Sequence, residues 1–406
     1  MHQPMTGVKM VEVAQFTFTP SAGAVLTEWG ADVVKVEHAV RGDAQRGMVN
    51  HPKDGTFMPI MEHPNRGKRS IGLDLETPAG HEILAELLGD ADIFLTNFLP
   101  DARRRLHLEL EDIRKINPDI IYVRGSAHGQ RGDWAEKGGY DGSSFWCRMG
   151  SAWGVTPPDS PRVLTMPAGA YGDSMGGMTI AGGIAAALYG RRVTGETSVI
   201  DVSLMSVGAW AFALDLSNAA LTRGEKEPVS INQMMANAPI NPTVGNFKTS
   251  DGKWINFTMI QGFRYFADVC RHLELDELID DERFSTAQHM MANAQVAGQY
   301  IAEAIAKRPF SYWVKHLTTL EGPWAPVQGP LEILDDPQME ANGYIRTLDD
   351  SEGVQRTLIA NPVQFDELPP DTRRAPQFAE HTDDLLRELG HAEDDIIRLK
   401  IDGVIT

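Results

Sequence analysis

The sequence VKMVEVA at Val8–Ala14 begins an alternation of strand-like and helix-like segments. Val8–Ala14 predicts a strand, Ser21–Trp29 a helix and Asp32–Val36 a second strand. The alternation then continues through extended Ser70–Leu75, helix Thr77–Leu88, strand Ile93–Thr96, helix Glu111–Ile116 and strand Ile120–Arg124. Strands that alternate with helices in this way pair in parallel. We therefore expect an α/β fold with a mostly parallel sheet flanked by helices.

The rest of the chain divides into further segments. A Gly-rich helix is expected to start near Asp173, followed by a strand at Ser198–Val202 and one long apolar helix at Leu204–Leu221. After Arg223 the sequence becomes polar and rich in Pro and Asn, which is typical of a linker. Asp251-Gly252 between two strand-like runs predicts a hairpin. We expect a large domain from residues 1–222, a smaller α+β domain with its linkers from 223–330, and a return of 331–406 to the large domain.

Composition and charge exclude several classes of function. The 406 residues include 37 Lys and Arg against 56 Asp and Glu, a net charge of −19. Because nucleic acids and anionic membranes require a basic face, we expect neither as a partner. No signal peptide is recognised at the N-terminus, and Cys147 and Cys270 form no CxxC or Cys/His cluster. We expect a cytoplasmic protein with no metal site and no disulfide.

The common catalytic motifs are missing from the sequence. The turn after the first predicted strand, Gln15–Pro20, contains neither GxGxxG nor GxxxxGK[ST]. No HExxH, EF-hand loop or GxSxG occurs either. These absences disfavour a Rossmann dinucleotide site, a P-loop, metal-dependent hydrolysis and Ser-His-Asp acyl transfer.

Asp173 lies in the segment GDSMGG at Gly172–Gly177, which leads into the Gly-rich helix. One interpretation makes Asp173 an ordinary N-cap. The other makes it a nucleophile, whose carboxylate stays ionised at a helix N-terminus while glycines allow a substrate carbonyl to approach. In that case the exposed N–H groups of the helix would stabilise an oxyanion. The motif alone does not choose between the two.

Two further features are candidates for binding. Basic clusters stand at Asn65–Arg69 and Arg103–Arg105, with Arg41 and Arg46 nearby, and Arg and Lys are the usual donors to phosphates. For a single arginine a solvated surface position is also expected. The glycines of Gly129–Gly132 and Gly138-Gly139 predict a loop in which Tyr140 and Asp141 line a site or form an ordinary turn.

Taken in order, these motifs resemble one family. They are ADVVKVE at Ala31–Glu37, NRGKRSIGLDL at Asn65–Leu75, TNF at Thr96–Phe98, GSAHGQRG at Gly125–Gly132, GYD at Gly139–Asp141, GDSMGG at Gly172–Gly177 and AEHTDDLLRELG at Ala379–Gly390. This series is similar to the class III coenzyme A transferases, a family that includes carnitine and formyl-CoA transferases and α-methylacyl-CoA racemases. The resemblance extends over nearly the whole chain.

The resemblance implies a fold and a set of site residues. It implies a Rossmann-like large domain and a smaller domain, in two subunits interlocked as a homodimer or in a hetero-oligomer with a paralogous subunit. It implies Asp173 as the catalytic residue and no tightly bound cofactor, with acyl-CoA and a carboxylic acid as substrates. Coenzyme A binding would be assigned to Gln15, Thr17, Phe18, His38, Arg41, Leu73, Asn97, Phe98, Arg105, Lys137, Tyr140 and Asp141.

The family contains two reaction types. In the transferases an aspartate attacks the thioester, and aspartyl anhydride and aspartyl-CoA thioester intermediates follow. The 2-methylacyl-CoA racemases need an acid/base pair on opposite faces of an enolate, and their His stands where this chain has Tyr140. Because tyrosine ordinarily has a pKa of about 10, it is a poor substitute in proton exchange near neutrality. The sequence therefore favours a CoA-transferase, with the racemase as the alternative.

Other features leave alternatives open. The small domain has no run of consecutive glycines to act as a flap over the site, which argues against a substrate as small as oxalate. Phe145, Trp146 and Trp153 are candidates for the wall of a larger acyl pocket, or for core positions. A non-catalytic CoA-binding protein is disfavoured by Asp173, and a slow hydrolase is not excluded.

Overall fold

The computed structural model describes residues 3–48, 57–224 and 241–406. These residues form two compact units. The first unit contains residues 3–48, 57–224 and 338–406, and the second contains residues 241–337. Most of the predicted linker after Arg223, residues 225–240, lies outside the described residues.

The first unit is built on a six-stranded parallel sheet. Its strands are β1 Lys9–Val13, β2 Asp32–Glu37, β3 Arg69–Gly72, β4 Ile93–Thr96, β5 Ile121–Ser126 and β6 Val199–Ser203. The strand order is β3-β2-β1-β4-β5-β6, and every neighbouring pair is parallel. This is the order of doubly wound nucleotide-binding sheets, in which the crevice lies outside the carboxyl ends of β1 and β4. The predicted parallel α/β architecture is confirmed, with β4 at its predicted bounds and no strand bound shifted by more than three residues.

Both faces of the central strands are buried, which explains why these strands are mostly apolar. In β4, Ile93 and Leu95 pack into one core cluster, whereas Phe94 packs into the other. In β1, Met10 and Val11 are divided in the same way. Successive side chains of a strand point to opposite faces, so covering helices on both sides favour apolar residues on both faces, and buried polar residues such as Glu12 and Lys35 need partners there.

The helices of the first unit before the second unit are α1 Pro20–Glu28, α2 Pro59–Asn65, α3 Pro78–Gly89, α4 Pro100–Arg105, α5 Leu110–Ile116, α6 Ser151–Val155, α7 Tyr171–Thr194, α8 Leu204–Ala211 and α9 Ala213–Thr222. Four of these helices have proline in the first helical turn, where its missing N–H has no intrahelical partner to lose. A π-helical segment, Asp141–Cys147, precedes α6.

The predicted single helix Leu204–Leu221 is wrong in one respect, because it is broken into α8 and α9 at Phe212 with a bend of 69°. The ring of Phe212 packs against Gly150 and Gly154, where a Cβ would come within 2.8 and 3.1 Å of it. Of the helices in the described ranges, none is by itself both long and apolar enough to cross a membrane; α8 and α9 satisfy that test only as a bent pair.

The second unit combines a small antiparallel sheet with helices. The sheet contains β7 Val244–Lys248, β8 Trp254–Thr258 and β9 Trp324–Pro326, and β7 and β8 form the predicted hairpin around Asp251-Gly252. The helices are α10 Gly262–His272, α11 Ala287–Ala292, α12 Ala294–Ile305, α13 Phe310–His316 and α14 Pro330–Leu334. They enclose a core of their own, which includes Phe257, Phe266 and Trp313.

The chain then returns to the first unit. The returning segment contains α15 Pro337–Ala341, the hairpin of β10 Ile345–Asp349 and β11 Gln355–Ile359, and helices α16 Thr382–Glu388 and α17 Glu393–Ile401. Its last residues pair with the chain just beyond β3, through a bridge between Leu73 and Ile405. The backbone N–H of Asp74 also donates to the carbonyl of Val404 at 2.8 Å.

Candidate active site

The turn after β1 is held by side chains from two other parts of the first unit. The backbone N–H of Gln15 donates to Asn97 Oδ1 at 2.9 Å, and Asn97 Nδ2 donates to the Gln15 carbonyl at 2.6 Å. The hydroxyl of Thr17 donates to Gln45 Oε1 at 3.0 Å. Since Asn97 follows β4, this pairing joins the carboxyl ends of the two central strands. That edge is where ligands bind in sheets of this topology.

A first cavity of about 430 Å³ opens at this edge. It is lined by seven of the residues assigned to coenzyme A from the sequence: Gln15, His38, Arg41, Leu73, Asn97, Phe98 and Arg105. Arg41 and Arg105 are exposed, and a guanidinium nitrogen of Arg105 lies 3.7 Å from Glu76. The cavity therefore presents two guanidinium groups beside an otherwise mostly apolar wall.

A second cavity of about 450 Å³ shares part of that wall. Phe16, Asn97, Phe98 and Leu99 line both cavities. From the predicted site, the second cavity adds Phe18, Lys137, Tyr140 and Asp173. Two predicted residues, Thr17 and Asp141, are buried and line neither cavity. Phe16 was missed, because a phenylalanine in a turn gives no sequence signal of its own.

Asp173 belongs to the first turn of α7 and is not its N-cap. The N-cap is Ala170, in a left-handed conformation with φ of +59°. No described residue donates a hydrogen bond or an ion pair to the Asp173 carboxylate. Burial and then the negative charge of Asp141 raise the pKa of Asp173 to about 7. A half-buried carboxylate that faces a cavity with a shifted pKa is typical of a functional group.

Asp141 closes the N-terminus of α7. Both of its carboxylate oxygens accept from the backbone N–H of Gly172, at 3.0 and 3.2 Å, and the N–H of Asp173 also donates to Asp141. Burial raises the pKa of Asp141, and these two hydrogen bonds oppose the shift. The expectation that free N–H groups at this helix end stabilise an oxyanion is therefore wrong for these two groups, since Asp141 occupies them.

The glycines of GDSMGG serve packing. A Cβ on Gly176 would come within 2.1 Å of the Phe18 ring, and one on Gly177 within 2.4 Å of the Ser21 Cβ. These glycines let α7 approach α1 and the turn after β1 closely. The expectation that they make room for a substrate carbonyl is therefore not supported at these two positions.

Most of the basic residues singled out in the sequence form ion pairs within the protein. Arg66 pairs with Glu28 at 3.0 Å and Lys68 with Glu12 at 2.7 Å, and all four side chains are buried. Elsewhere in these clusters, Arg46 pairs with Glu37, Arg69 with Asp32, Arg103 with Glu109 and Arg104 with Glu136. Only Arg41 and Arg105 of the clusters line the first cavity. Of the phosphate-binding residues predicted from these clusters, the first cavity therefore contains two, Arg41 and Arg105.

The aromatic residues between Asp141 and Asp173 do not wall the second cavity. Phe145 and Trp146 are buried in the core, and Trp153 is exposed. Their interpretation as core residues is thus correct for the first two. In the described part of the chain, no group of three or more His, Cys, Asp or Glu residues is arranged to hold a metal ion.

Comparison with known proteins agrees with this architecture. Residues 5–382 match the model of CoA-transferase family III, so the chain belongs to that family. It is an enzyme of the CoA-transferase type, and the resemblance seen in its motifs is confirmed.

Two curated relatives and one solved structure illustrate the similarity. The (R)-2-hydroxy-4-methylpentanoate CoA-transferase of Clostridioides difficile is 27% identical over 405 residues, covering 99% of each chain. The succinyl-CoA–L-malate CoA-transferase beta subunit of Chloroflexus aurantiacus is 26% identical over 414 residues, covering 99% of this chain and 98% of its own. The crystal structure of a CAIB/BAIF family protein from Brucella suis superposes with a TM-score of 0.80 at 26% identity, covering 96% of this chain and all of the other.

Proposed function

We propose that this enzyme transfers coenzyme A from an acyl-CoA donor to a carboxylic acid acceptor, with Asp173 as the nucleophile. The observation that carries the proposal is the position of Asp173. Its carboxylate has no partner among the described residues and lines a cavity that shares a wall with the first cavity. Coenzyme A is long enough to need two adjoining compartments, one for its nucleotide and one for its reactive sulfur.

The first cavity suits the nucleotide. Arg41 and Arg105 offer charge-assisted hydrogen bonds to phosphates, which arginine forms in bidentate geometry. Both cavities are within the usual size range of ligand sites. In the proposal, the pantetheine arm follows the shared wall at Asn97 and Phe98, and the thioester enters the second cavity. Thr17 and Asp141 are buried, so in the proposal they do not contact coenzyme A and instead support the residues that line the cavities.

The reaction proceeds by covalent catalysis. A carboxylate oxygen of Asp173 attacks the thioester carbonyl, the C–S bond breaks, and a mixed anhydride and a CoA thiolate result. The thiolate attacks the aspartyl carbonyl, the donor acid leaves as a carboxylate, and an aspartyl-CoA thioester remains. The acceptor carboxylate then attacks this thioester and releases the thiolate, which finally attacks the acceptor's acyl carbonyl. The products are the new acyl-CoA and the free Asp173 carboxylate.

The environment of Asp173 matches this role. Its raised pKa of about 7 makes the carboxylate more basic than an exposed aspartate while leaving a large ionised fraction at neutral pH. The racemase alternative needs a second acid/base group facing Asp173. No histidine is among the described residues that line the second cavity, and Tyr140 stands at the position of the racemase histidine. The transferase is therefore the better supported of the two.

We further propose that the enzyme is an interlocked homodimer. The first unit exposes large apolar side chains on its last three helices before residue 225: Tyr189 and Val193 on α7, Trp210 on α8, and Leu214 and Leu221 on α9. Such a concentration of apolar groups is typical of a surface that a partner covers. A relative named as a beta subunit makes assembly with a paralogous chain the alternative. Light scattering of the purified chain should give twice its mass of 44.7 kDa.

The catalytic proposal is tested by trapping the intermediates. The enzyme is incubated with an acyl-CoA and then treated with hydroxylamine, or with borohydride, before peptide mass spectrometry. We expect modification of Asp173 alone in the wild type, and none in Asp173→Ala, which should still fold and bind CoA. The exposed Asp394→Ala serves as the matched control and should be labelled normally. CoA exchange that survives in Asp173→Ala would refute the mechanism.

A further inference from the structure

Phe16 has a strained backbone at the junction of the two cavities. Its φ is +66°, in the left-handed region that is costly for a residue with a Cβ. Its side chain lines both the first and the second cavity. Strain of this kind persists only where the surrounding structure enforces it, and it concentrates at functional sites.

Buried charged side chains hold the backbone of Phe16 in this conformation. The backbone N–H of Phe16 donates to Asp43 Oδ1 at 3.2 Å, and the other carboxylate oxygen of Asp43 lies 2.8 Å from Lys35 Nζ. The Lys35 ammonium, which is fully buried, also contacts Glu12 at 3.3 Å and the Ala14 carbonyl at 2.8 Å. Neither Asp43 nor Lys35 can move without leaving a charge unpaired in the interior, which is strongly unfavourable.

The residues on either side of Phe16 are fixed as well. Both backbone groups of Gln15 bond to the Asn97 side chain, and Thr17 bonds to Gln45. Three consecutive residues are thus held by two different parts of the first unit, the segment after β2 that contains Asp43 and Gln45 and the residue Asn97 after β4. The backbone of Phe16 is therefore held in one place before any ligand arrives.

That ring meets Tyr140. The two ring centroids are 5.4 Å apart with an interplanar angle of 86°, an edge-to-face contact. Phe16 lines both cavities, whereas Tyr140 belongs to the second, which contains Asp173. The aromatic pair therefore stands where a ligand that occupies both cavities passes from one to the other.

We propose that Phe16, paired with Tyr140, is a positioning residue that guides the thioester arm of coenzyme A from the first cavity to Asp173. This inference rests on the proposed function. The ring, carried on this fixed backbone and in contact with Tyr140, limits the paths open to a flexible arm and brings the thioester carbonyl against the Asp173 carboxylate. Asp43 and Lys35 act through Phe16 by holding its backbone.

The test compares two thioesters of the same acid, one of coenzyme A and one of N-acetylcysteamine, in Phe16→Gly and Phe16→Leu. Glycine removes the ring and the strain together, so this variant should fold, and melting temperature verifies it. The rate at which Asp173 is acylated is measured by hydroxylamine trapping. For the CoA thioester we expect kcat/KM to fall about 100-fold, the scale of a small misplacement of reacting atoms. For the short thioester, which does not extend into the first cavity, we expect a loss at least tenfold smaller than for the CoA thioester.

Glu274→Gly is the matched control, because Glu274 also has a positive φ, of +59°, but lies in the second unit and is exposed. Its kinetics with both thioesters should be unchanged. Equal losses with both thioesters in the Phe16 variants, or no loss with either, would overturn the guiding role and leave the proposed function intact. Failure of the wild type to be labelled by either thioester would overturn the proposed function itself, and the guiding role with it.

Discussion

A carboxylate oxygen of Asp141 lies 3.0 Å from the backbone nitrogen of Gly172, so one aspartate closes the helix that carries the other. The N–H of Asp173 donates to the same carboxylate. The Asp141 carboxylate therefore interacts with the N-terminus of α7, whereas the Asp173 carboxylate has no such partners and faces the second cavity. The two acidic residues have different roles because their hydrogen-bond environments differ.

Asp141→Asn should separate the charge of Asp141 from its capping role. The amide oxygen still accepts an N–H, but the negative charge that contributes to the raised pKa of Asp173 is removed. We expect the pH dependence of Asp173 acylation to move to lower pH. Asp141→Ala removes the cap as well, and should cost about 1 kcal/mol of stability in urea unfolding. An unshifted pH profile in Asp141→Asn would contradict the electrostatic coupling.

The wild-type acylation rate should rise with pH through the pKa of Asp173, about 7. Only the ionised carboxylate attacks the thioester, and the protonated fraction increases as the pH falls below that value. Single-turnover acylation measured between pH 5.5 and 8.5 tests this. A rate that is flat across this range would show that Asp173 is already fully ionised in the free enzyme.

Asp173→Asn should stabilise the folded protein at pH 8 and leave its stability unchanged at pH 3.5. The pKa of Asp173 is raised in the folded state above its ordinary value of 3.8, so its ionisation favours unfolding increasingly as pH rises from about 4 to 7. We expect the free energy of unfolding at pH 8 to rise by about 2 kcal/mol. The pKa shift, converted in full at about 1.4 kcal/mol per pH unit, would give about twice this value, and we halve it because the carboxylate is partly exposed. Urea unfolding at the two pH values measures it, and an equal effect at both would contradict the pKa shift.

A 2-methylacyl-CoA incubated with the enzyme in deuterated water, without an acceptor acid, should not exchange its α-hydrogen rapidly. The family resemblance implies that Tyr140 replaces the racemase histidine, and no described histidine lines the second cavity. Mass spectrometry of the recovered thioester follows the exchange. Rapid deuteration would make the chain a racemase instead.

Glu12→Gln should destabilise the protein by about 3–5 kcal/mol, the usual result of removing one partner of a buried ion pair. Glu12 lies 2.7 Å from Lys68 and 3.3 Å from Lys35, and all three side chains are fully buried. The exposed pair of Lys9 and Asp90 offers a control, since Asp90→Ala should change stability by less than about 1 kcal/mol. Urea unfolding of both variants makes the comparison, and a small effect at Glu12 would show that these charges are solvated.

The sequence predicted the sheet well because most of its strands are buried on both faces and so are short, mostly apolar runs separated by helices. It failed for the basic clusters, because a charged residue in a sequence does not reveal its partner. Arg66 and Lys68 bind Glu28 and Glu12, which are distant in the chain and belong to α1 and β1.

The candidate site was predictable only in part. Asp173 and ten of the twelve residues assigned to coenzyme A from the family motifs line one of the two cavities, but the sequence does not show that Ala170 ends up as the N-cap in place of Asp173. Nor does it show the break at Phe212, which depends on the packing of that ring against Gly150 and Gly154. Phe16 has no local preference for a positive φ, and only its contact with Asp43 explains it.

The bridge between Leu73 and Ile405 has a consequence for biosynthesis. Leu73 lines the first cavity, and its backbone partner is made only after the second unit has left the ribosome. Such distant pairings form late, because a long loop must close first. The second unit therefore has time to fold before the first unit is complete, and the wall of the first cavity at Leu73 should reach its final structure only after Ile405 has been synthesised.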